Sequence, residues 1–145
     1  MQPWAYFDTS VLAKRYVAAE EGIAHARRAL RSHRILTSAV SFVELASAFR
    51  QRSRAGDLSA TGYRAILARM ASDRACWDLL AVGDEVLRRA ESVVDRTGVR
   101  ALDAVHLASA WIRRDAGLPN LPFVTADRRQ ADGARALGLT TMLVE

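Results

Sequence analysis

Residues 5–16 read AYFDTSVLAKRY, and the change of character in the middle of this stretch decides how the chain is read. Trp4, Tyr6 and Phe7 are residues that favour a buried strand, whereas Val11 and Leu12 open an apolar pattern of helical period. Asp8, Thr9 and Ser10 stand at the joint. One reading of the triplet is helix capping, because these side chains accept hydrogen bonds from the orphan N–H groups of a first helical turn. The other is a site, because ligands of open α/β sheets gather just outside the carboxyl ends of the strands. Alone, the triplet is compatible with both.

Working outward, the same alternation recurs. Residues 20–33 (EEGIAHARRALRSH) predict an amphipathic helix, residues 35–40 (ILTSAV) a strand, and residues 41–56 (SFVELASAFRQRSRAG) a helix closed by Gly56. Residues 58–73 read as a helix with Gly62 as a blemish, and residues 76–82 (CWDLLAV) as a third strand. Residues 84–98 begin with acids and end at Gly98, both terminal signals of a helix. The segment 100–117 is apolar nearly all round, which predicts a buried helix with Trp111 and Ile112 in the core. Residues 118–127 carry a strand ending at another Thr and Asp, residues 126–138 a helix, and residues 139–145 a final strand. Short strands alternating with helices predict an α/β fold with a mainly parallel sheet between helical layers.

Composition bounds the class. A chain of 145 residues, half of them apolar and with no linker or repeat, is expected to form a single domain over residues 1–145. No window is long and charge-free enough to span a membrane, and no signal peptide opens the chain, so a cytoplasmic location is expected. Cys76 is the only cysteine and reads as a small core residue beside Trp77. One Cys and three scattered His show no zinc spacing. The net charge of +5 permits a polyanionic partner, although clusters such as Arg27, Arg28, Arg31, Arg34 and Arg50, Arg52, Arg54 are ordinary for solvated helix faces.

Three further acids join Asp8: Glu44, Asp103 and Asp127. Each lies near the carboxyl end of a predicted strand or in a first helical turn, so the topology can bring all four to one edge of the sheet. Each also has a local explanation. Glu44 completes an S-x-x-E capping box with Ser41, Asp103 suits a helix dipole, and Asp127 can cap the helix after it. Independent caps have no reason to converge on one cleft. If the acids do converge, two carboxylates about 4 Å apart repel by roughly 4 kcal/mol at an effective dielectric of 20, and the cluster needs neutralising. An all-oxygen nest beside hydroxyls selects a hard divalent cation, magnesium or manganese.

Four fragments in this order, DTS after an apolar strand, TSAVSFVELASAF, ALDAVHLASA and FVTADRRQADGARALGL, together resemble the PIN-domain proteins, and specifically the VapC-type toxins of bacterial toxin–antitoxin pairs. The resemblance runs from about Tyr6 to about Val144. It implies a PIN-like fold and an endoribonuclease using a Mg or Mn ion, with Asp8, Glu44, Asp103 and Asp127 as catalytic and metal-binding acids. Asp8 and Asp103 would hold the ion most directly. Thr9, Ser10 and Thr125 would support the carboxylates or contact phosphate. Asp132, further along the same helix, is an alternative fourth acid, and His106, three residues after Asp103, reads as a buried or supporting histidine. The implied partners are an RNA substrate, a VapB-type antitoxin and a second copy of the chain.

Other classes fail on motif. A haloacid-dehalogenase phosphatase needs an acid two residues after the first Asp, where Ser10 stands, and a receiver domain needs a late lysine, whereas Lys14 is the only one. Neither G-x-x-x-x-G-K-[ST] nor G-x-G-x-x-G occurs. An RNA-processing nuclease of the same fold without an antitoxin, or a non-catalytic RNA-binding scaffold, are the alternatives. Lys14, Arg15 and Arg50 are candidate phosphate contacts.

Overall fold

The computed structural model describes residues 1–17 and 22–145. In chain order the elements are β1 (Trp4–Phe7), α1 (Thr9–Ala13), α2 (Ile23–Ser32), β2 (Arg34–Ser38), α3 (Ser41–Arg54), α4 (Ala60–Arg74), β3 (Asp78–Leu80), α5 (Asp84–Thr97), α6 (Ala101–Asp115), β4 (Pro122–Thr125), α7 (Arg128–Ala136) and β5 (Thr140–Leu143). Every strand pairing is parallel and the order is β3-β2-β1-β4-β5. The α/β architecture expected from the alternation is therefore present. Glu20 and Glu21, which the sequence assigns to the start of the second helix, lie outside the described residues.

The chain begins in the middle of its sheet. β2 and β3 add on one side of β1, and the chain then crosses to lay β4 and β5 on the other. The crevice between the carboxyl ends of β1 and β4 is thus the switch point where α/β sheets bind ligands. Alternation along β1 divides the core. Ala5 and Phe7 pack with residues of α1–α4, while Tyr6 faces the opposite way and packs with α5, α6 and Phe123 of β4. Ala5, Tyr6 and Phe7 are all fully buried, as a central parallel strand covered on both faces requires.

Local chemistry ends the elements where the sequence signals them. Ser59 caps α4 by accepting the N–H of Gly62 at 3.0 Å. Gly98 closes α5 in the left-handed region at φ 71°, donating its N–H to Val94. No atom lies within 4 Å of where its Cβ would stand, so Gly98→Ala tests conformation alone. Its expected cost is about 1 kcal/mol, read as a lower urea midpoint at unchanged slope. An unchanged midpoint would refute the left-handed cap.

Three expectations are corrected. Cys76 is exposed, because it lies in the turn that closes α4, with its N–H on the Asp73 carbonyl, and the strand begins only at Asp78. Trp111 and Ile112 are half-buried, since the fully buried run of α6 spans Ala104 to Ala110 and the Trp111 ring lies under the guanidinium groups of Arg89 and Arg96. The capping box of Ser41 and Glu44 does not form. Ser41 is the first residue inside α3, and its hydroxyl is committed to Thr37 at 2.7 Å, while Thr37 donates to the Phe7 carbonyl.

Candidate active site

Asp8 follows β1 directly, and its carboxylate both caps a helix and joins two strand ends. Its side chain accepts from the Val11 N–H as the cap of α1. The same carboxylate is also the hub of a cross-strand network. Ser10 donates to Oδ1 at 2.5 Å, and Thr125, at the end of β4, donates to Oδ2 at 2.6 Å. The Ser10 hydroxyl in turn accepts the Ala126 N–H, and Thr125 Oγ1 accepts that of Asp127. The DTS triplet therefore stitches the ends of β1 and β4 together across the switch point. Asp8 is 4% exposed, and burial pushes its carboxyl above the usual range despite the two hydroxyls.

Glu44 arrives from the first turn of α3 and points to the same edge. Its Oε1 accepts from Thr9 Oγ1 at 2.9 Å and from His106 Nε2 at 2.6 Å. A carboxylate oxygen accepts, so Nε2 carries the hydrogen of that bond and Nδ1 is left for another partner. Its partner is the Tyr6 hydroxyl at 2.7 Å. Tyr6 is fully buried, and burial followed by the Asp8 charge pushes its hydroxyl far up, so it remains a donor. Tyr6, His106, Thr9 and Glu44 form one chain of hydrogen bonds from the core to the sheet edge. His106 is buried and satisfied.

Asp103 and Asp127 occupy the first turn of α6 and the cap of α7, where Asp127 accepts the Arg129 N–H at 2.9 Å. Asp103 is half-buried. Burial raises its carboxyl first, then the charges of Asp127 and Glu44, while His106 and Arg100 act in the opposite direction. Such mutual repulsion requires that the acids have gathered. Asp103, Asp127 and Asp132 line one cavity of about 830 Å³, together with Arg96, Arg100 and Arg129. Asp132 is 78% exposed at its side chain and pairs with Arg135 one turn on. Of Asp127 and Asp132, Asp127 is the one whose charge acts on Asp103. Asp8 and Glu44 do not line this cavity. Among the described residues, no three His, Cys, Asp or Glu side chains form a ready-made metal cage.

Of the basic residues expected to touch phosphate, Arg15 is committed elsewhere. Its guanidinium grips Asp73 at 2.8 and 3.0 Å, and Tyr16 donates to the same carboxylate. Burial works against that charge, but these partners hold the Asp73 carboxyl below its usual range. Arg50 lies 5.9 Å from the Tyr63 ring. Neither they nor Lys14 line the cavity. The sequence reading missed Arg96, Arg100 and Arg129, although Arg100 stands three residues before Asp103 and Arg129 two after Asp127.

The PIN domain family model matches residues 5–136. No curated protein matches the chain in sequence. Among solved structures, a toxin–antitoxin complex from Klebsiella pneumoniae is similar at 15% identity and a TM-score of 0.68, covering 95% of each chain. FitAcB from Neisseria gonorrhoeae is similar at 15% identity and 0.73, covering 95% of this chain and 96% of that one. A member of the VapBC family of toxin–antitoxin systems from Mycobacterium tuberculosis is similar at 23% identity and 0.58, covering 97% of both. At identities this low the likeness is one of fold.

Proposed function

The chain belongs to the PIN-domain family, and from that premise we propose that it is a divalent-metal-dependent endoribonuclease, the toxin of a toxin–antitoxin pair. The observation that carries the reading is the gathering of Asp103 and Asp127 on one cavity, where burial and the charges of Asp127 and Glu44 push the Asp103 carboxyl up. A fold gains nothing from gathering such charges unless a cation is to be held there. PIN nucleases usually bind magnesium, and the donor set fits it, being all oxygen with lone pairs left after the hydroxyls have bonded.

In this reading Asp8 and Asp103 hold the ion most directly, and Glu44 and Asp127 act directly or through water. Bound there, Mg or Mn would lower the pKa of a coordinated water and steady the charge on a phosphodiester. The remaining side chains position these groups. Ser10 and Thr125 fix both oxygens of Asp8, and Thr9 with His106 aims Glu44. Two neighbours in fold are a toxin–antitoxin complex and a member of a toxin–antitoxin family, which supports an antitoxin as partner, one whose segment would close the acidic cleft. A second copy of the chain is the other expected partner.

Purified protein incubated with a mixed structured RNA pool is expected to cut it with magnesium or manganese and not with chelator. A folded Asp103→Asn variant should lose the cutting. Cutting that persists in chelator, or antitoxin-free protein that leaves every RNA intact, would end the reading. A small open reading frame for a DNA-binding protein directly upstream is expected for the toxin, and its absence would favour a nuclease of RNA maturation.

A further inference from the structure

Arginine and aspartate sharing one cavity ordinarily pair, yet here they stand apart. The cavity between the end of α5, the start of α6 and α7 holds Asp103, Asp127 and Asp132 with Arg96, Arg100 and Arg129. Arg96 lies 5.2 Å from the Trp111 ring, and Asp132 turns outward to Arg135. Asp127 takes the backbone N–H of Arg129 and leaves its guanidinium alone. Arg100 and Arg129 are exposed, and neither side chain makes a hydrogen bond or ion pair among the described residues. Arg100 reaches Asp103 only as a charge through space.

Two open guanidinium groups beside carboxylates that do not pair with them suit a ligand that is itself anionic and arrives with a cation. A phosphodiester chain has that character. Its oxygens accept from arginine in the fork geometry that guanidinium offers, and the acids are left for the metal. We propose that Arg100 and Arg129 are the residues that grip the RNA backbone at this site, beside the acids. This deepens the nuclease reading and rests on it. It also replaces Arg15 and Arg50 as phosphate contacts, since Arg15 is tied to Asp73 and Arg50 lies outside the cavity.

The test is fluorescence anisotropy of a labelled mixed-sequence RNA titrated with protein in chelator across a series of salt concentrations. Wild type, Arg100→Ala, Arg129→Ala and a surface control, Arg64→Ala, are compared, each checked for an unchanged thermal midpoint. Each cavity variant is expected to bind more weakly and to flatten the dependence of log affinity on log salt by ~0.7, the loss of one single-strand phosphate contact. Arg64→Ala should keep the wild-type slope. The same RNA is incubated with wild type and manganese. Cutting by wild type with unchanged slopes in both cavity variants would overturn the assignment and leave the nuclease standing. Flattened slopes without cutting would uphold the arginines and remove the nuclease. A wild type that neither binds nor cuts would remove both.

Discussion

In the Asp8→Asn variant, RNA cleavage is expected to fall about a thousandfold while the metal-free protein becomes harder to unfold at neutral pH. The activity loss follows from removing one of the two acids proposed to hold the ion. Several kcal/mol of charge stabilisation, at about 1.36 kcal/mol per factor of ten, corresponds to roughly that factor. The stability gain follows from burial. Asp8 is 4% exposed, and its folded-state pKa is raised above the unfolded value near 3.8, with desolvation as the largest cause. A raised acid favours the fold while protonated. Its contribution is therefore complete below the unfolded pKa and is lost as pH rises through the folded one. Toward neutral pH, without metal, ionising that carboxylate in the core costs the wild type stability.

Asparagine removes that charge and keeps the shape. Its amide can donate to Thr125, which turns its own hydrogen to Ser10, 3.3 Å away. Thermal unfolding in chelator from about pH 4 to 8 should show the wild-type midpoint falling relative to the variant. Manganese at neutral pH should then raise the wild type and leave the variant nearly unmoved. A variant less stable than wild type in neutral chelator would refute the desolvation argument. A variant that still cuts would remove Asp8 from the catalytic set.

His106→Leu is expected to destabilise the fold by about 2–4 kcal/mol although it places an apolar side chain of comparable size in an apolar helix. His106 is 1% exposed, and its two ring nitrogens serve Tyr6 on one side and Glu44 on the other. Leucine takes the ring-nitrogen partner from the fully buried Tyr6 hydroxyl and leaves Glu44 with Thr9. Tyr6→Phe removes the distal bond only, so its cost should be nearer 1 kcal/mol. Because both substitutions break the same bond, the double variant should cost less than their sum. Urea midpoints at constant slope would measure all three. A leucine variant as stable as wild type would mean that the hydrogen-bond chain contributes nothing to the fold.

The elements themselves were legible because their signals are local. An apolar run ended by Asp8, a Gly98 that only a left-handed turn requires, and a largely apolar helix around Ala104 to Ala110 each depend on neighbours within a few residues. The candidate acids were legible for the same reason: Asp8 and Asp127 carry capping signals and also stand at strand ends. Local signals failed where a side chain had a distant suitor. The S-x-x-E pattern of Ser41 and Glu44 is a sound capping box in isolation, but Thr37 claims the serine and His106, 62 residues away, claims the glutamate. Arg15 looked free to touch phosphate until α4 brought Asp73 beside it.

By itself, the order of residues determined the alternation of strands and helices, the parallel α/β class and the set of acids that end strands or begin helices, because periodicity and turn chemistry act over one or two turns of chain. Tertiary structure alone decided that β1 and β4 lie side by side, so that Thr125 reaches Asp8 across 117 residues, and that Tyr6, His106 and Glu44 share one buried chain of hydrogen bonds. It also decided which arginines face the acids. Those pairings come from the strand order and from packing two helical layers on one sheet, and no local rule encodes which distant partner a polar group will find when water is excluded from around it.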